Sequence, residues 1–355
     1  MDRYIVLENG MVFKGKAFGA DKEVIAELVF TTGMTAYVET LTDPSYYGQA
    51  IVQTFPLLGN YGVMAADAES RINGAWACIV REWCEKPSNF RSEGDIDAWL
   101  KQAGIPGVYG VDTRALTRIL RENGVMNCAV TADPASVDME KLKAYRVTGA
   151  VAAVSGRAAG ERRAENAKYK VVLMDLGMKD YIARRLLERD CDLTIVPGSV
   201  SADEIIAMKP DGIVISNGPG DPAENEAIVA ELKKLCKSGI PIFGIALGHQ
   251  LLALAHGFRT EKLKYGHRGA NQPVRYHADG RVYISSQNHG YTVAPDSVRP
   301  EIALQSFVNV NDGTNEGLEY KTEPVYSVQF YPEASGGSKD TGFLFDKLTD
   351  MMKGV

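Results

Sequence analysis

The segment Phe243-Gly244-Ile245-Ala246-Leu247-Gly248-His249-Gln250 carries the spacing with the clearest chemical consequence. An apolar run over 240–245 ends in Gly-x-Ala-x-Gly and passes into a helical pattern over 247–255. Glycines on both sides of one position permit a sharp strand-to-helix turn of the nucleophile-elbow type. Such a turn lifts Ala246 above a sheet, at a helix N-terminus whose N–H groups can stabilise an oxyanion. An ordinary strand–helix turn packed with small residues fits the same spacing. Ser216-Asn217-Gly218-Pro219-Gly220-Asp221-Pro222 follows another strand pattern, and its two glycines let backbone approach a ligand. It lacks the Gly-Lys-Ser/Thr of a phosphate-binding loop, which argues against ATP there.

Two further segments place polar groups near strand ends. In Tyr331-Pro332-Glu333, Pro332 keeps Tyr331 extended, and the strand alternation puts Tyr331 and Glu333 on one side. A base followed two residues later by a carboxylate can orient an imidazole, but tyrosine holds the first position here. Alone, the segment reads as a strand ending in a turn. Gln287-Asn288-His289-Gly290-Tyr291 reads as a polar segment between two strands, offering amide and backbone groups to a ligand. A lone His289 reads as structural.

Positioning these groups requires a sheet. From 168 onward strands (170–174, 193–196, 212–216, 240–245) alternate with helices (177–189, 201–208 capped by Ser201, 224–236, 247–255). That alternation predicts a parallel sheet with right-handed crossovers. After Ala270 the pattern is strand-rich and closes with a helix over 341–352. The first 150 residues read as strand-rich with one clear helix, 113–123, capped by Asp112 and stopped by Gly124. Strands over 4–7 and 11–14 flank Asn9-Gly10, a hairpin signal, and 27–31 reads as another. Residues 151–167, rich in Ala, Gly, Arg and Glu, read as a linker. The expected organisation is a domain over 1–150, the linker, and a domain over 168–355.

A net charge of −6 without basic clusters argues against nucleic acid or an anionic membrane as the partner. Five cysteines with no CxxC pair argue against a disulfide framework or a zinc site, and make a reducing cytoplasm the expected setting. No stretch approaches the roughly 18 apolar residues that span a bilayer, and no signal-peptide pattern is seen. No cofactor and no metal are expected.

Taken together, the site segments resemble the class I glutamine amidotransferases. In those enzymes a Gly-x-Cys-x-Gly elbow holds the nucleophile, and a later His-Pro-Glu supplies the base and its orienting carboxylate. Gly266-His267-Arg268-Gly269-Ala270-Asn271-Gln272-Pro273-Val274 and the Gln-Asn-His-Gly run are similar to the carbamoyl phosphate synthetase small subunits in particular. So are Phe30-Thr31-Thr32-Gly33-Met34-Thr35-Ala36-Tyr37, Leu41-Thr42-Asp43-Pro44-Ser45-Tyr46, Gly59-Asn60-Tyr61-Gly62 and Val111-Asp112-Thr113-Arg114, so the resemblance spans essentially the whole chain. It implies an α/β fold: a strand-rich N-terminal domain and a C-terminal amidotransferase domain with a mostly parallel sheet. It implies L-glutamine held by Ser45, Gly218, Gly220, Leu247, Gln250, Asn288, Gly290 and Tyr291. It also implies a large ATP-using subunit that receives the ammonia and makes carbamoyl phosphate for pyrimidines and arginine.

This chain departs from that pattern at two of three catalytic positions, with Ala246 at the nucleophile, Tyr331 at the base and only Glu333 retained. A methyl group forms no thioester, and a phenol of ordinary pKa about 10 is a poor base near neutrality. The expectation is a small subunit that docks on its partner and does not hydrolyse glutamine. Two alternatives stand beside it: an active glutaminase subunit with an engineered Ala246, and a stand-alone glutamine-binding protein.

Overall fold

Asn9-Gly10 turns the chain as its dipeptide requires, with Gly10 at φ 86°, and joins β1 (Asp2–Leu7) to β2 (Val12–Gly19). This hairpin opens a computed structural model that describes residues 1–72, 74–156 and 159–354, in two units divided between Thr148 and Gly149. In the first unit follow β3 (Val24–Thr31), α1 (Tyr37–Thr42), β4 (Gln49–Gln53), β5 (Leu57–Leu58), β6 (Ala77–Ile79) and β7 (Glu82–Trp83). Next come α2 (Ile96–Ala103), β8 (Pro106–Tyr109), α3 (Thr113–Asn123), β9 (Met126–Thr131) and α4 (Met139–Ala144). Seven strands close into a barrel in the order β1-β2-β8-β6-β4-β3-β9, which leaves no free edge among them. The helix α3 runs as expected: Asp112 Oδ1 accepts the Ala115 N–H at 2.9 Å, and Gly124 ends it. The reading of one clear helix is corrected, since α1, α2 and α4 are also present. Each has six to eight residues, too few turns to show a helical period in sequence.

The second unit is built on one ten-stranded sheet. Its elements are α5 (Ala150–Val154), β10 (Gly160–Arg162), β11 (Tyr169–Asp175), α6 (Asp180–Leu187), β12 (Cys191–Pro197), α7 (Ala202–Ala207), β13 (Gly212–Ile215), α8 (Glu226–Cys236), β14 (Ile242–Ile245) and α9 (Leu247–Ala255). Then come β15 (Thr260–Tyr276), β16 (Val282–Val293), β17 (Ala303–Asn309), β18 (Asn315–Tyr320), β19 (Val325–Val328) and α10 (Phe343–Lys353). The sheet order is β10-β12-β11-β13-β14-β19-β18-β17-β15-β16. Strands β12, β11, β13, β14 and β19 are mutually parallel, and the flanks are antiparallel.

A parallel sheet covered on both faces needs apolar residues at successive positions, and these strands have them. Met174, Ile213, Ile215 and Ile242 face one core with Leu232 and Leu235 of α8 and Leu251 and Leu252 of α9. Leu173, Val214, Phe243 and Ile245 face the other with Ile182 and Leu186 of α6 and Phe345 and Leu348 of α10. No helix among the described residues is long and apolar enough to cross a membrane.

Residues 151–167 are not a bare linker. Helix α5 sends Val151 into the first of those cores, and β10 pairs antiparallel with β12 as an edge strand. Two short elements with few large apolar residues leave no period to read. Residues 157 and 158 of that stretch lie outside the described residues. The strand-rich portion also begins earlier than expected, at Thr260 instead of after Ala270.

Replacing Asp112 by Ala removes the cap of α3 and is expected to cost about 1 kcal/mol. The check is a lower urea midpoint with unchanged slope for the first unit's unfolding; an unchanged midpoint contradicts the cap assignment.

Candidate active site

Ala246 sits between β14 and α9 at φ 52°, ψ −103°, a conformation that costs a residue with a Cβ about 1–3 kcal/mol. The surroundings hold it there. Its N–H donates to the Val328 carbonyl of β19 at 2.8 Å, and the Gly248 N–H donates to the Ser216 carbonyl at 3.1 Å. The two glycines of the motif are required by contact. A Cβ on Gly248 would lie 2.4 Å from the Ile215 carbonyl oxygen, and one on Gly244 would lie 2.5 Å from Leu252 Cδ1. The elbow expected from Gly-x-Ala-x-Gly is therefore present, with a methyl group at its apex.

Four neighbouring parallel strands deliver loops to this point from their carboxyl ends: β11, β13, β14 and β19. After β13, Gly218 approaches closely, since a Cβ there would meet the Leu176 carbonyl oxygen at 2.4 Å and Leu247 Cδ2 at 2.8 Å. Gly220, at φ 87°, turns the loop away toward Ala150. Asn217 ties the loops after β11 and β13 together: its Oδ1 accepts the Lys179 N–H at 3.0 Å, and its Nδ2 donates to the Gly177 carbonyl at 3.0 Å.

Lys179, not singled out from sequence, is the charge centre of the site. Its ammonium donates to Glu333 Oε1 at 2.7 Å and Ser335 Oγ at 2.9 Å, and stands 4.2 Å from the centre of the Tyr331 ring. Tyr331 and Glu333 thus share one side of the extended segment, as alternation requires, and both meet Lys179. The side chains of Lys179 and Glu333 are 4 % and 0 % exposed, so each charge relies on the other. Glu333 Oε2 is buried without a hydrogen-bond partner among the described residues. In a working triad of this type that oxygen is available to an imidazole N–H. Tyr331 is held by its own N–H, which donates to the Ser286 carbonyl at 2.8 Å.

Gln250, one turn into α9, joins the elbow to β16. Its Nε2 donates to the Tyr291 carbonyl at 2.8 Å and to Gln329 Oε1 at 2.9 Å. The segment Gln287–Tyr291 is corrected here: it is not a connection between strands but lies inside β16. Its polar residues pair with the equally polar Gly266–Gln272 of β15, across two register shifts that hide a strand period. Asn288, in register with Arg268, is 8 % exposed, and a Cβ on Gly290 would meet Arg268 Nη2 at 3.3 Å. Beneath them His289 Nδ1–H donates to the Tyr291 carbonyl at 2.8 Å, and burial holds His289 well below the usual histidine range. Burial acts the same way on the neighbouring His267, but Asp312 and Glu316 outweigh it and hold His267 up to about 9. His249 is buried against Ser327, and burial lowers it to about 3.

The structure therefore brings together Ala246, Leu247, Gln250, Gly218, Tyr331, Glu333 and Tyr291, with Asn288 and Gly290 on the same strand as Tyr291. Ser45 belongs to the first unit, in a single 3-10 turn over Pro44–Tyr46 where its N–H donates to Asp43 Oδ1 at 2.9 Å. No cysteine substitutes at the elbow. Cys191 begins β12 and Cys236 precedes β14, at the opposite end of the sheet, and burial pushes both thiols up to about 12.

Comparison with known proteins shows what the chain is similar to. The family model for the carbamoyl-phosphate synthase small chain, CPSase domain, matches residues 5–130, and that for glutamine amidotransferase class-I matches residues 172–351. The chain is 46 % identical to the carbamoyl phosphate synthase small chain of Clostridium perfringens over 98 % of this chain and 99 % of that one. It is 46 % identical to that of Listeria monocytogenes serotype 4b over 99 % and 97 %. The pyrimidine-specific small chain of Halalkalibacterium halodurans is 44 % identical over 99 % and 98 %.

Two substitutions test the architecture. Lys179→Met strands a buried carboxylate and is expected to destabilise the second unit by about 3–5 kcal/mol, part of which Lys179→Met/Glu333→Gln recovers. Urea unfolding checks both, and a neutral Lys179→Met contradicts the buried pair. Gly248→Ala is expected to lower the melting temperature far more than Gly94→Ala, whose added methyl meets no atom within 4 Å and whose backbone is not left-handed; equal effects contradict the elbow packing.

Proposed function

Because the chain belongs to the carbamoyl phosphate synthase small-chain family, we propose that it serves as a docking and glutamine-recognising subunit that does not hydrolyse glutamine. Its partner is the large, ATP-using synthetase subunit, which then works on free ammonia. The observation that carries this reading is the pairing of an intact elbow with the wrong side chains. Ala246 holds the strained backbone of a nucleophile, while Tyr331 and Glu333 are both engaged by Lys179.

Amide hydrolysis at such a site needs a thiolate to attack the carboxamide carbon and an imidazole to move a proton to the leaving ammonia. The Ala246 methyl supplies no electron pair. The carboxylate of Glu333 pairs with Lys179 through Oε1, and Tyr331 stands where the imidazole that Oε2 would orient is needed. Members of a triad act as a unit, and losing them costs several powers of ten in rate, about 10⁶ in subtilisin. What remains is suited to recognition. Gly218, Leu247, Gln250, Asn288, Gly290 and Tyr291 form the glutamine site of the second unit, with Gly220 at its rim. The product of the assembly is carbamoyl phosphate for pyrimidines and arginine.

The purified chain, alone or with a large subunit, is expected to release no ammonia from glutamine above background. Ala246→Cys alone is expected to stay near that background. Ala246→Cys/Tyr331→His is expected to exceed it by about 10²–10⁴-fold, the usual contribution of a general base. Ammonia release by the unmodified chain, or by Ala246→Cys as fast as the double variant, contradicts the reading. Tight glutamine binding with no association in a pull-down on the large subunit favours a stand-alone binding protein.

A further inference from the structure

Under the glutamine-site strand lies a buried group of side chains that the proposed function does not use. His267 on β15, His289 on β16 and Glu316 on β18 are 9 %, 6 % and 0 % exposed and converge on one point. His267 Nδ1 lies 3.2 Å from His289 Nε2 and 3.4 Å from Glu316 Oε1, and His289 Nε2 lies 3.8 Å from Glu316 Oε1. The point equidistant from the corners of that triangle is about 2.0 Å from each, which matches Zn–N and Zn–O bond lengths. Gln287 Oε1, 3.3 Å from His289 Nε2, offers a fourth donor atom.

The hydrogen-bond roles point the same way. His289 Nδ1 faces the Tyr291 carbonyl, which only accepts, so it carries the proton and leaves Nε2 as a bare lone pair. Gln287 Nε2 donates to Glu316 Oε2 at 3.0 Å and Ser285 Oγ at 3.1 Å, so Gln287 Oε1 is also an acceptor. Glu316 Oε1 is a third. A single N–H, on His267 Nδ1, faces two acceptors, His289 Nε2 and Glu316 Oε1, and Gln287 Oε1 lies beside the first of them. The outer partners are those that orient metal-bound histidines. His267 Nε2–H donates to Asp312 Oδ2 at 2.8 Å, and His289 Nδ1–H to a backbone carbonyl.

We propose that His267 Nδ1, His289 Nε2 and Glu316 Oε1, with Gln287 Oε1, form a binding site for a divalent transition-metal cation, zinc being the best match. Two imidazoles with carboxylate and amide oxygens suit zinc or cobalt(II) better than calcium or magnesium, which take all-oxygen sets. Three ligands come from three strands and 50 residues of chain, so no sequence spacing announces them. The ion displaces the proton between the two imidazoles and cross-links β15, β16 and β18. Through His289 it also fixes the Tyr291 carbonyl that receives Gln250.

The full chain is stripped with a chelator, titrated with cobalt(II) and zinc, and followed by calorimetry, visible absorption and thermal melting. The expected result is one equivalent bound, tetrahedral cobalt(II) bands without a thiolate charge-transfer band, and a melting temperature that rises with free zinc. Asp312→Asn, which keeps every ligand, is expected to weaken binding about 10–100-fold, and Glu316→Gln by at least as much. No stoichiometric binding by the folded, unmodified chain overturns the proposal, without recourse to any variant. So does affinity that neither substitution changes. A thiolate-to-cobalt band also overturns it, since the ion would then sit at Cys236, His256 and Glu323, the other cluster of possible ligands among the described residues.

Discussion

Everything at the site depends on the backbone of Ala246 being held at φ 52°, ψ −103°. Such strain persists only where the surroundings over-determine it. Here they comprise the hydrogen bond to Val328, the seating of Gly248 on the end of β13, and the close approach of Gly218 to Leu247. An alanine gains nothing from this turn, since its methyl has no lone pair to present. The two glycines and the distorted residue serve a nucleophile that this chain does not carry. On the function proposed here, that scaffold serves recognition without the chemistry.

The same logic applies at the base position. A buried carboxylate needs a counter-charge or hydrogen bonds, since the desolvation of an unpaired ion costs several kcal/mol. Glu333 has its counter-charge in Lys179, whose ammonium also lies over the Tyr331 ring. Tyrosine is therefore compatible with the site: its aromatic face meets a cation, an attraction of about 0.5–2 kcal/mol, and Glu333 stays paired without a histidine. The arrangement leaves each buried charge with a partner.

Much of this was legible in the residues. The elbow followed from Gly244 and Gly248 around one position, the helix 113–123 from Asp112 and Gly124, and the parallel sheet from the alternation after 168. The rest was hidden for physical reasons. Lys179 acquires its role only through Glu333 and Tyr331, more than 150 residues away. The polar run Gln287–Tyr291 is a strand because an equally polar partner, β15, covers it, which no local period reveals. The stretch after Gly149 reads as a connection because α5 and β10 are each too short to show periodicity. Ser45 is legible only through resemblance to a family, since a single 3-10 turn has no sequence signature of binding.

On the proposed function, this chain keeps the form of a glutamine-dependent ammonia supplier without the reaction. The most direct measurement is carbamoyl phosphate synthesis by the reconstituted pair of this chain and a large subunit, with ammonium or glutamine as the only nitrogen source. The account predicts synthesis with ammonium and none above background with glutamine. Glutamine-driven synthesis at a rate comparable to that with ammonium contradicts it.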